Sequence, residues 1–193
     1  MRLKDRVAIV TGAGTGIGRS IALTFAAEGA AVVVAARKLS RLGEVVEEIK
    51  SGGGRARAIQ TDISDEKQVQ GMVAQTIDEY GQIDILVNNS AADPTVPANV
   101  VDMALDNWNN SVKVNLTGTM LCCREVLKTM IPRRSGNIVN ISSVAGITGH
   151  PTLSDYSATK WAIIGFTETL AIEVGEHNIR VNCISPAATN SRF

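Results

Sequence analysis

Short apolar runs rich in β-branched residues alternate with longer segments in which apolar residues recur at helical spacing. The runs are RVAIVTG (6–12), AAVVVAAR (30–37), RARAIQTD (55–62), DILVNN (84–89), GNIVNISS (136–143) and IRVNCIS (179–185). The helical positions between the first four runs are Ile17, Ile21 and Phe25, then Leu42, Val45, Val46 and Ile49, then Val69, Met72, Val73 and Ile77. This alternation predicts an α/β fold, a doubly wound parallel sheet with helices on both faces.

The helix-end and cap residues between these segments, without any linker, predict one domain that extends over residues 1–193. The stretch SGGG at 51–54 is typical of a helix end, and either Ser64 or Asp65 can cap the helix that follows. The sequence contains no internal repeat, low-complexity tract or linker.

Composition excludes several classes of function. Apolar residues make up 45% and charged residues 20%, as in a globular protein, and the formal net charge is zero. A neutral chain gives no electrostatic reason to expect nucleic acid or an anionic membrane as a partner. The three cysteines favour reduced thiols, and the N-terminus passes from charges directly into a strand without a signal peptide. We therefore expect a protein of the cytoplasm.

The first strand runs into the glycine-rich segment TGAGTGIGRS at 11–20. Glycines at a strand-to-helix turn allow backbone amides to approach a phosphate, whose charge the helix N-terminus favours. The pattern G-x-G-x-x-G fails here because Ile17 or Arg19 falls at its last position, and no Gly-Lys pair closes a Walker loop. The spacing that fits is T-G-x-x-x-G-x-G. The alternative is a tight turn whose glycines serve packing alone.

Four further motifs follow in order: NNSA at 88–91, Asn115 within VNLTG, Ser143 within ISSVAG, and Tyr156 with Lys160 in DYSATK. With the glycine turn, they make the chain resemble the short-chain dehydrogenase/reductase family over nearly its whole length, and its 3-oxoacyl-carrier-protein reductase-like members in particular. The resemblance implies a Rossmann-like fold, a homodimer or homotetramer, and hydride exchange between a nicotinamide cofactor and a carbonyl or secondary alcohol. The substrate would be a small-molecule or carrier-linked carbonyl, including a 3-oxoacyl thioester.

The end of the second strand bears on the choice of cofactor. In such a sheet this strand end lies beside the adenosine ribose, where NAD-type relatives carry Asp. Here Ala36 stands at that place and Arg37 follows, which favours the 2′-phosphate of NADP(H). NAD(H) stays open, because Thr15 occupies a place in the glycine turn where some NADP-type members have a basic residue. Arg37 and Lys38 can also be simply solvated.

The resemblance also implies which residues contact the cofactor. Asp62 and Ile63 would border the adenine and Asn88 the adenosine ribose, although a turn role suits Asp62 equally well. The full set of expected contacts is Gly12, Ala13, Gly14, Thr15, Gly16, Ile17, Gly18, Arg37, Asp62, Ile63, Asn88, Tyr156, Lys160 and Thr189.

Tyr156 and Lys160 lie four residues apart, so on a helix their side chains share one face. A free phenol titrates near 10, too high for an effective base at neutral pH, and a nearby ammonium favours its ionised form. Tyr156 is therefore the expected acid/base, and Lys160 is expected to favour the phenolate. As in relatives, Lys160 would also bind the nicotinamide ribose.

Two further residues complete the expected catalytic set. Because neighbouring strand side chains point to opposite faces, one of Ser142 and Ser143 should reach the pocket. The family's Ser-to-Tyr spacing selects Ser143 to hold the substrate oxygen. Asn115 sits in a helix expected to begin near Asp106, and the family assigns it to a water-linked proton relay through Lys160. The alternative is a mid-helix Asn without a specific partner.

Other features of the sequence concern a metal site, departures from the family pattern and alternative functions. His150 and His177 have no ligand cluster around them, so no metal site is expected. Relatives carry P-G-x-x-x-T after the sixth strand, where this chain has Ala187 and Ser191, and they continue past the position of Phe193 into a substrate lid and a seventh strand. We expect those parts to be missing here. The alternatives are a non-catalytic cofactor-binding or scaffold protein and an enzyme like the nucleotide-sugar epimerases or dehydratases.

Overall fold

The computed structural model of the chain describes residues 1–92, 96–187 and 189. Each of the six apolar runs forms a strand: β1 Val7–Thr11, β2 Ala31–Ala36, β3 Arg55–Gln60, β4 Ile85–Asn88, β5 Gly136–Ile141 and β6 Ile179–Ile184. All neighbouring strands are parallel, in the order β3-β2-β1-β4-β5-β6. The predicted α/β fold with a doubly wound parallel sheet is confirmed, and its strand order is Rossmann-like.

Six α-helices connect or follow the strands: α1 Gly16–Ala27, α2 Leu39–Ser51, α3 Glu66–Tyr80, α4 Leu105–Ser111, α5 Gly118–Arg133 and α6 Ser154–Gly175. A π-helical segment, Val112–Thr117, joins α4 to α5, and short 3-10 helices lie at Val100–Asp102 and Val144–Gly146. Of the two predicted caps for α3, Asp65 is the one used, since its carboxylate accepts the backbone N–H groups of Lys67 and Gln68.

Successive residues of the central strand supply two separate cores. Ile9 packs with side chains of α3, α5 and α6 on one face of the sheet, whereas Ala8 and Val10 pack with α1 and α2 on the other. This alternation is the two-residue period of a strand covered on both faces. It explains why the central runs are apolar at almost every position.

Strand β1 lies where the strand order reverses. It pairs with β2 on one side and with β4 on the other, Val10 lying opposite Val34 and Val87. Because connections leave in opposite directions from this point, a crevice opens beyond the carboxyl ends of the two strands. The residues that follow β1, β4 and β5 therefore meet at one edge of the sheet.

The apolar residues of α6 are divided between core and surface. Leu170 is buried and Phe166 packs against the core, while Trp161 is 52% and Ile172 84% exposed. Within the ranges that the structure describes, no helix is long and apolar enough to cross a bilayer.

Candidate active site

A cavity of about 510 Å³ opens at the carboxyl edge of the sheet. Its wall includes the glycine turn after β1, the ends of β2 and β3, the loop after β4, the end of β5 and the first turns of α6. This is the size and position expected of a ligand site in a doubly wound sheet. Sequence motifs separated by more than a hundred residues thus share one cavity.

The glycine turn has the form of a phosphate cradle. Gly12 has a φ of +64°, and a Cβ there would come within 2.9 Å of Asn89 Nδ2 and Ser90 Cα. A Cβ on Gly18 would overlap the Gly12 carbonyl oxygen, so the start of α1 packs directly on the turn. Thr15, the N-cap, makes no side-chain capping bond, and the first turn of α1 carries no acidic residue. These features leave the helix N-terminus suited to an anionic group.

The seven expected contacts in this turn are divided between wall and interior. Gly12, Gly14, Thr15, Gly16 and Ile17 line the cavity. Ala13 is fully buried in the core beneath the turn, and Gly18 packs against Gly12 and Asn89. Close packing accounts for a glycine at position 18, and the cofactor contacts of Ala13 and Gly18 stay predictions.

Thr11 and Asn89 brace the turn from beneath, a role that the sequence did not reveal. The buried Thr11 hydroxyl accepts the backbone N–H groups of Asn89 and Ser90 at 3.0 and 3.1 Å. In return, Asn89 Nδ2 donates to the carbonyl oxygens of Thr11 and Gly12, at 3.1 and 3.3 Å. The loops after β1 and β4 are thereby fixed to each other. The signals in the sequence are the Thr that begins T-G-x-x-x-G-x-G and the second Asn of NNSA.

Basic residues border the cavity beyond β2. Arg37, Lys38 and Arg41 line it together with Ala36, the last residue of the strand. Gln60 Nε2 donates to the Arg37 carbonyl at 2.9 Å, which ties this segment to the end of β3. Arg41 lies in the first turn of α2, which brings it to the cavity wall, and the sequence analysis did not predict it there.

At the end of β3, Asp62 and Ile63 both line the cavity. The Asp62 carboxylate accepts the backbone N–H and the hydroxyl of Ser64, at 2.9 and 2.8 Å. That is the Asx-type turn role that the sequence left open. Ile63 is buried in the core and packs closely on Gly118.

The Asn88 side chain forms its hydrogen bonds inside the core. Its side chain is 3% exposed, and Nδ2 donates to Asn140 Oδ1 at 2.9 Å and to Cys123 Sγ at 3.2 Å. Asn140 in turn donates to Thr167 Oγ1 at 2.9 Å, so a polar chain crosses from β4 to α6 inside the core. Asn89, Ser90 and Ala91 line the cavity after β4, and a contact of Asn88 with the adenosine ribose stays a prediction.

Tyr156 and Lys160 lie on one face of α6, as their spacing predicted, and both line the cavity. Lys160 Nζ lies 5.4 Å from the centre of the Tyr156 ring and donates to the Ile141 carbonyl at 2.8 Å. Lys160 is only 4% exposed. Burial lowers the pKa of Lys160 from 10.5 to about 8, with a smaller opposing influence from Cys183.

The two serines after β5 differ in their partners. Ser142 is buried, and its hydroxyl donates to the Lys160 carbonyl at 2.8 Å, a structural bond between β5 and α6. Ser143 is half-buried on the cavity wall, and its Oγ accepts the Ala145 N–H at 3.2 Å. The Ser143 hydroxyl proton is therefore not needed for that bond and can be directed into the cavity.

Asn115 is buried behind the wall residue Val114 and lies within the π-helical segment. Its Oδ1 accepts the Ala92 N–H at 2.7 Å, and its Nδ2 donates to Thr159 Oγ1 at 3.0 Å. The alternative of an Asn without a specific partner is wrong. A π-helical turn shifts side chains relative to an α-helix and is frequent at functional sites.

Beyond β6, Pro186, Ala187 and Thr189 line the cavity. Ser191, which was expected to stand in for the family Thr, lies outside the described residues. The structure describes no cluster of three or more His, Cys, Asp or Glu able to hold a metal in residues 1–92, 96–187 and 189.

The model of the short chain dehydrogenase family matches residues 6–193. The chain belongs to this family. Among curated proteins, it is 40% identical to a 3-oxoacyl-[acyl-carrier-protein] reductase of Synechocystis sp., with 95% of this chain and 74% of that protein aligned. It is 38% identical to the 3-oxoacyl-[acyl-carrier-protein] reductase FabG of Thermotoga maritima, over 96% of this chain and 75% of the relative.

Solved structures agree with the family. The crystal structure of levodione reductase superposes with a TM-score of 0.95 at 33% identity, covering 98% of this chain and 74% of that one. The structure of NAD⁺-bound xylitol dehydrogenase gives a TM-score of 0.94 at 35% identity, covering 97% and 72%. This short-chain dehydrogenase thus spans about three quarters of the length of these relatives.

This short-chain dehydrogenase is an NAD(P)-dependent oxidoreductase that acts on alcohol or carbonyl groups. The glycine cradle and the uncapped start of α1 fit the diphosphate of such a cofactor. When bound, the cofactor would supply or accept the hydride. The same cavity wall carries a phenol, an ammonium and a hydroxyl, which are groups able to donate or accept protons.

Proposed function

We propose that this short-chain dehydrogenase is an NADPH-dependent reductase of a neutral carbonyl, with a 3-oxoacyl thioester as the favoured substrate class. The observation that carries the reaction is the shared cavity wall of Tyr156, Lys160 and Ser143 at the carboxyl edge of the sheet. The names of the two reductases that align at 40% and 38% identity support the substrate class.

Each polar residue has a stated role in this proposal. Ser143 donates a hydrogen bond to the substrate oxygen, and Tyr156 gives that oxygen its proton. Lys160, charged at neutral pH because its lowered pKa of about 8 is still above 7, favours the phenolate left behind. Asn115 and Lys160 form the route through which a water chain returns the proton to Tyr156.

The preference for NADPH follows from charge. Arg37, Lys38 and Arg41 border the cavity beside Ala36, and the end of β2 offers no carboxylate to a ribose hydroxyl. A 2′-phosphate carries about two negative charges and accepts charge-assisted bonds from guanidinium groups. In NADH the same cations would face a neutral hydroxyl, which removes that attraction.

The proposal extends to assembly and location. The exposed Trp161 and Ile172 on α6 support a homodimer or homotetramer that covers this helix. Three unpaired thiols support a reducing compartment, the cytoplasm.

The direct test is the oxidation of NADPH by the purified chain with acetoacetyl-coenzyme A as the carbonyl substrate. We expect turnover with NADPH and a kcat/KM at least about tenfold lower with NADH, because a lost charge-assisted contact is equivalent to about 1.4 kcal/mol or more. Binding of NADPH without turnover of this thioester or of simple ketones would contradict the proposed reductase and favour the non-catalytic alternative. Equal turnover with both cofactors would contradict the NADPH preference alone.

A further inference from the structure

Two buried hydrogen bonds join the α4–π-helical region to the first turns of α6. Ser111 Oγ donates to Asp155 Oδ2 at 2.6 Å, and Asn115 Nδ2 donates to Thr159 Oγ1 at 3.0 Å. All four residues are 2% exposed or less. The donors are four residues apart on one helix, and the acceptors are four residues apart on the other.

These two bonds bracket the proton donor of the proposed reaction. Tyr156 directly follows Asp155, and its own carbonyl accepts the Thr159 hydroxyl at 2.8 Å. Thr159 therefore links the Asn115 amide to the backbone of Tyr156. Tyr156 is itself half-buried on the cavity wall. Because the two bonds hold residues before and after it in α6, they fix where the Tyr156 backbone lies.

The same chain of bonds continues to the loop after β4, which also lines the cavity. Asn115 Oδ1 accepts the N–H of Ala92, which lies in the cavity-lining loop after β4. The loop after β4, the π-helical segment and α6 are thus connected through one Asn side chain. Buried hydrogen bonds of this kind restrict the movement of the joined segments relative to each other.

We propose that Ser111, Asp155 and Thr159 are positioning residues that hold Tyr156 at the distance from the substrate that proton transfer requires. The kinetic test of this inference rests on the proposed function, because it measures carbonyl reduction. None of the three residues needs to touch substrate or cofactor, since they act through the backbone of the first turn of α6. A displacement of about 1 Å at a reacting group can lower a rate by as much as about a hundredfold.

The chain offers a matched control for Thr159. Thr167 lies two turns further along α6, is 4% exposed, accepts an Asn amide from Asn140 at 2.9 Å and donates to the Ile163 carbonyl at 2.6 Å. Thr159→Val and Thr167→Val therefore remove the same type of hydroxyl from the same helix. Only the first is adjacent to Tyr156.

The kinetic test compares these variants in NADPH-dependent carbonyl reduction. We expect Thr159→Val to lower kcat about tenfold, with KM for NADPH within about twofold of wild type, and Thr159→Ser to restore kcat. We expect Thr167→Val to keep kcat within about twofold, although both Val variants shift the urea midpoint similarly. Equal kcat losses in the two Val variants, or none in Thr159→Val, would overturn the role of Thr159.

The Ser111–Asp155 bond is tested by Ser111→Ala. We expect this variant to lower kcat at least about threefold, and a wild-type kcat would overturn the role of the bond.

A second readout is independent of turnover. The chain has two tyrosines, so a Tyr80→Phe background labelled with ¹³Cζ-tyrosine reports Tyr156 alone. We expect Thr159→Val to move or broaden this signal and Thr167→Val to leave it in place. If the wild type reduces no carbonyl, the proposed function fails while this spectrum still tests the positioning. An unmoved signal in Thr159→Val would overturn it.

Discussion

Lys160 Nζ lies 5.4 Å from the centre of the Tyr156 ring, while its hydrogen bond to the Ile141 carbonyl spans 2.8 Å. The ammonium is thus held beside the phenol by the end of β5, the strand that also leads into Ser143. The Ile141 carbonyl therefore holds Lys160 close to the strand end that leads into Ser143. Burial of the same ammonium is what lowers its pKa.

The lowered pKa of Lys160 predicts a pH-dependent stability. The folded value is about 8 and the ordinary value 10.5, so between these pH values the unfolded chain binds the extra proton. The contribution of Lys160 to stability is present above 10.5 and is lost as the pH falls through about 8. Urea unfolding of the wild type and Lys160→Met should show a free-energy difference that shifts by roughly 3 kcal/mol in favour of the wild type across this window. A difference independent of pH would contradict a buried Lys160.

Charge reversal at Arg37 should invert the cofactor preference. Arg37→Asp places a carboxylate beside the cavity at the end of β2, where it repels a 2′-phosphate and can accept a ribose hydroxyl. We expect kcat/KM for NADPH to fall at least about tenfold and that for NADH to rise. Lys4→Asp is the control, because Lys4 is exposed at the opposite edge of the sheet, before β1. An unchanged preference in Arg37→Asp would contradict a role of Arg37 in the choice of cofactor.

A methyl group on Gly18 should loosen the phosphate cradle. A Cβ there overlaps the Gly12 carbonyl oxygen, and neither backbone segment can yield without moving the turn. We expect Gly18→Ala to lower the free energy of unfolding by about 1–3 kcal/mol and to weaken NADPH binding. Gly43→Ala is the matched control, since nothing lies within 4 Å of a Cβ in the middle of α2. That variant should gain about 0.5–1 kcal/mol from helix propensity. Equal stabilities for the two variants would contradict the close packing at Gly18.

The central strands β1, β2 and β4 were predictable because each is a short run of buried, largely apolar residues between polar or glycine boundaries. The run at 30–37, for example, becomes β2 Ala31–Ala36, and 179–185 becomes β6 Ile179–Ile184. The Tyr156–Lys160 pair was predictable for a similar reason, since helical spacing alone puts both on one face.

The partners of buried polar residues were not predictable in this way. Asn88 turns inward because its neighbour in the β4–β5 register is Asn140, and that pairing exists only in the folded sheet. The Ser111–Asp155 bond joins residues 44 positions apart, with no periodicity to reveal it. Local pattern therefore gave the elements and the exposed face of the site, whereas contacts across elements decided which side chains hold it together.

The central claim is that Tyr156 donates the proton in an NADPH-dependent carbonyl reduction, and Tyr156→Phe tests it most directly. The variant keeps the ring and removes the hydroxyl. We therefore expect NADPH oxidation with a reactive ketone to fall by at least about a hundredfold, while NADPH affinity changes little. Tyr80→Phe is the control, because Tyr80 packs against the core at the end of α3, and it should keep wild-type turnover. Undiminished turnover in Tyr156→Phe would contradict the account.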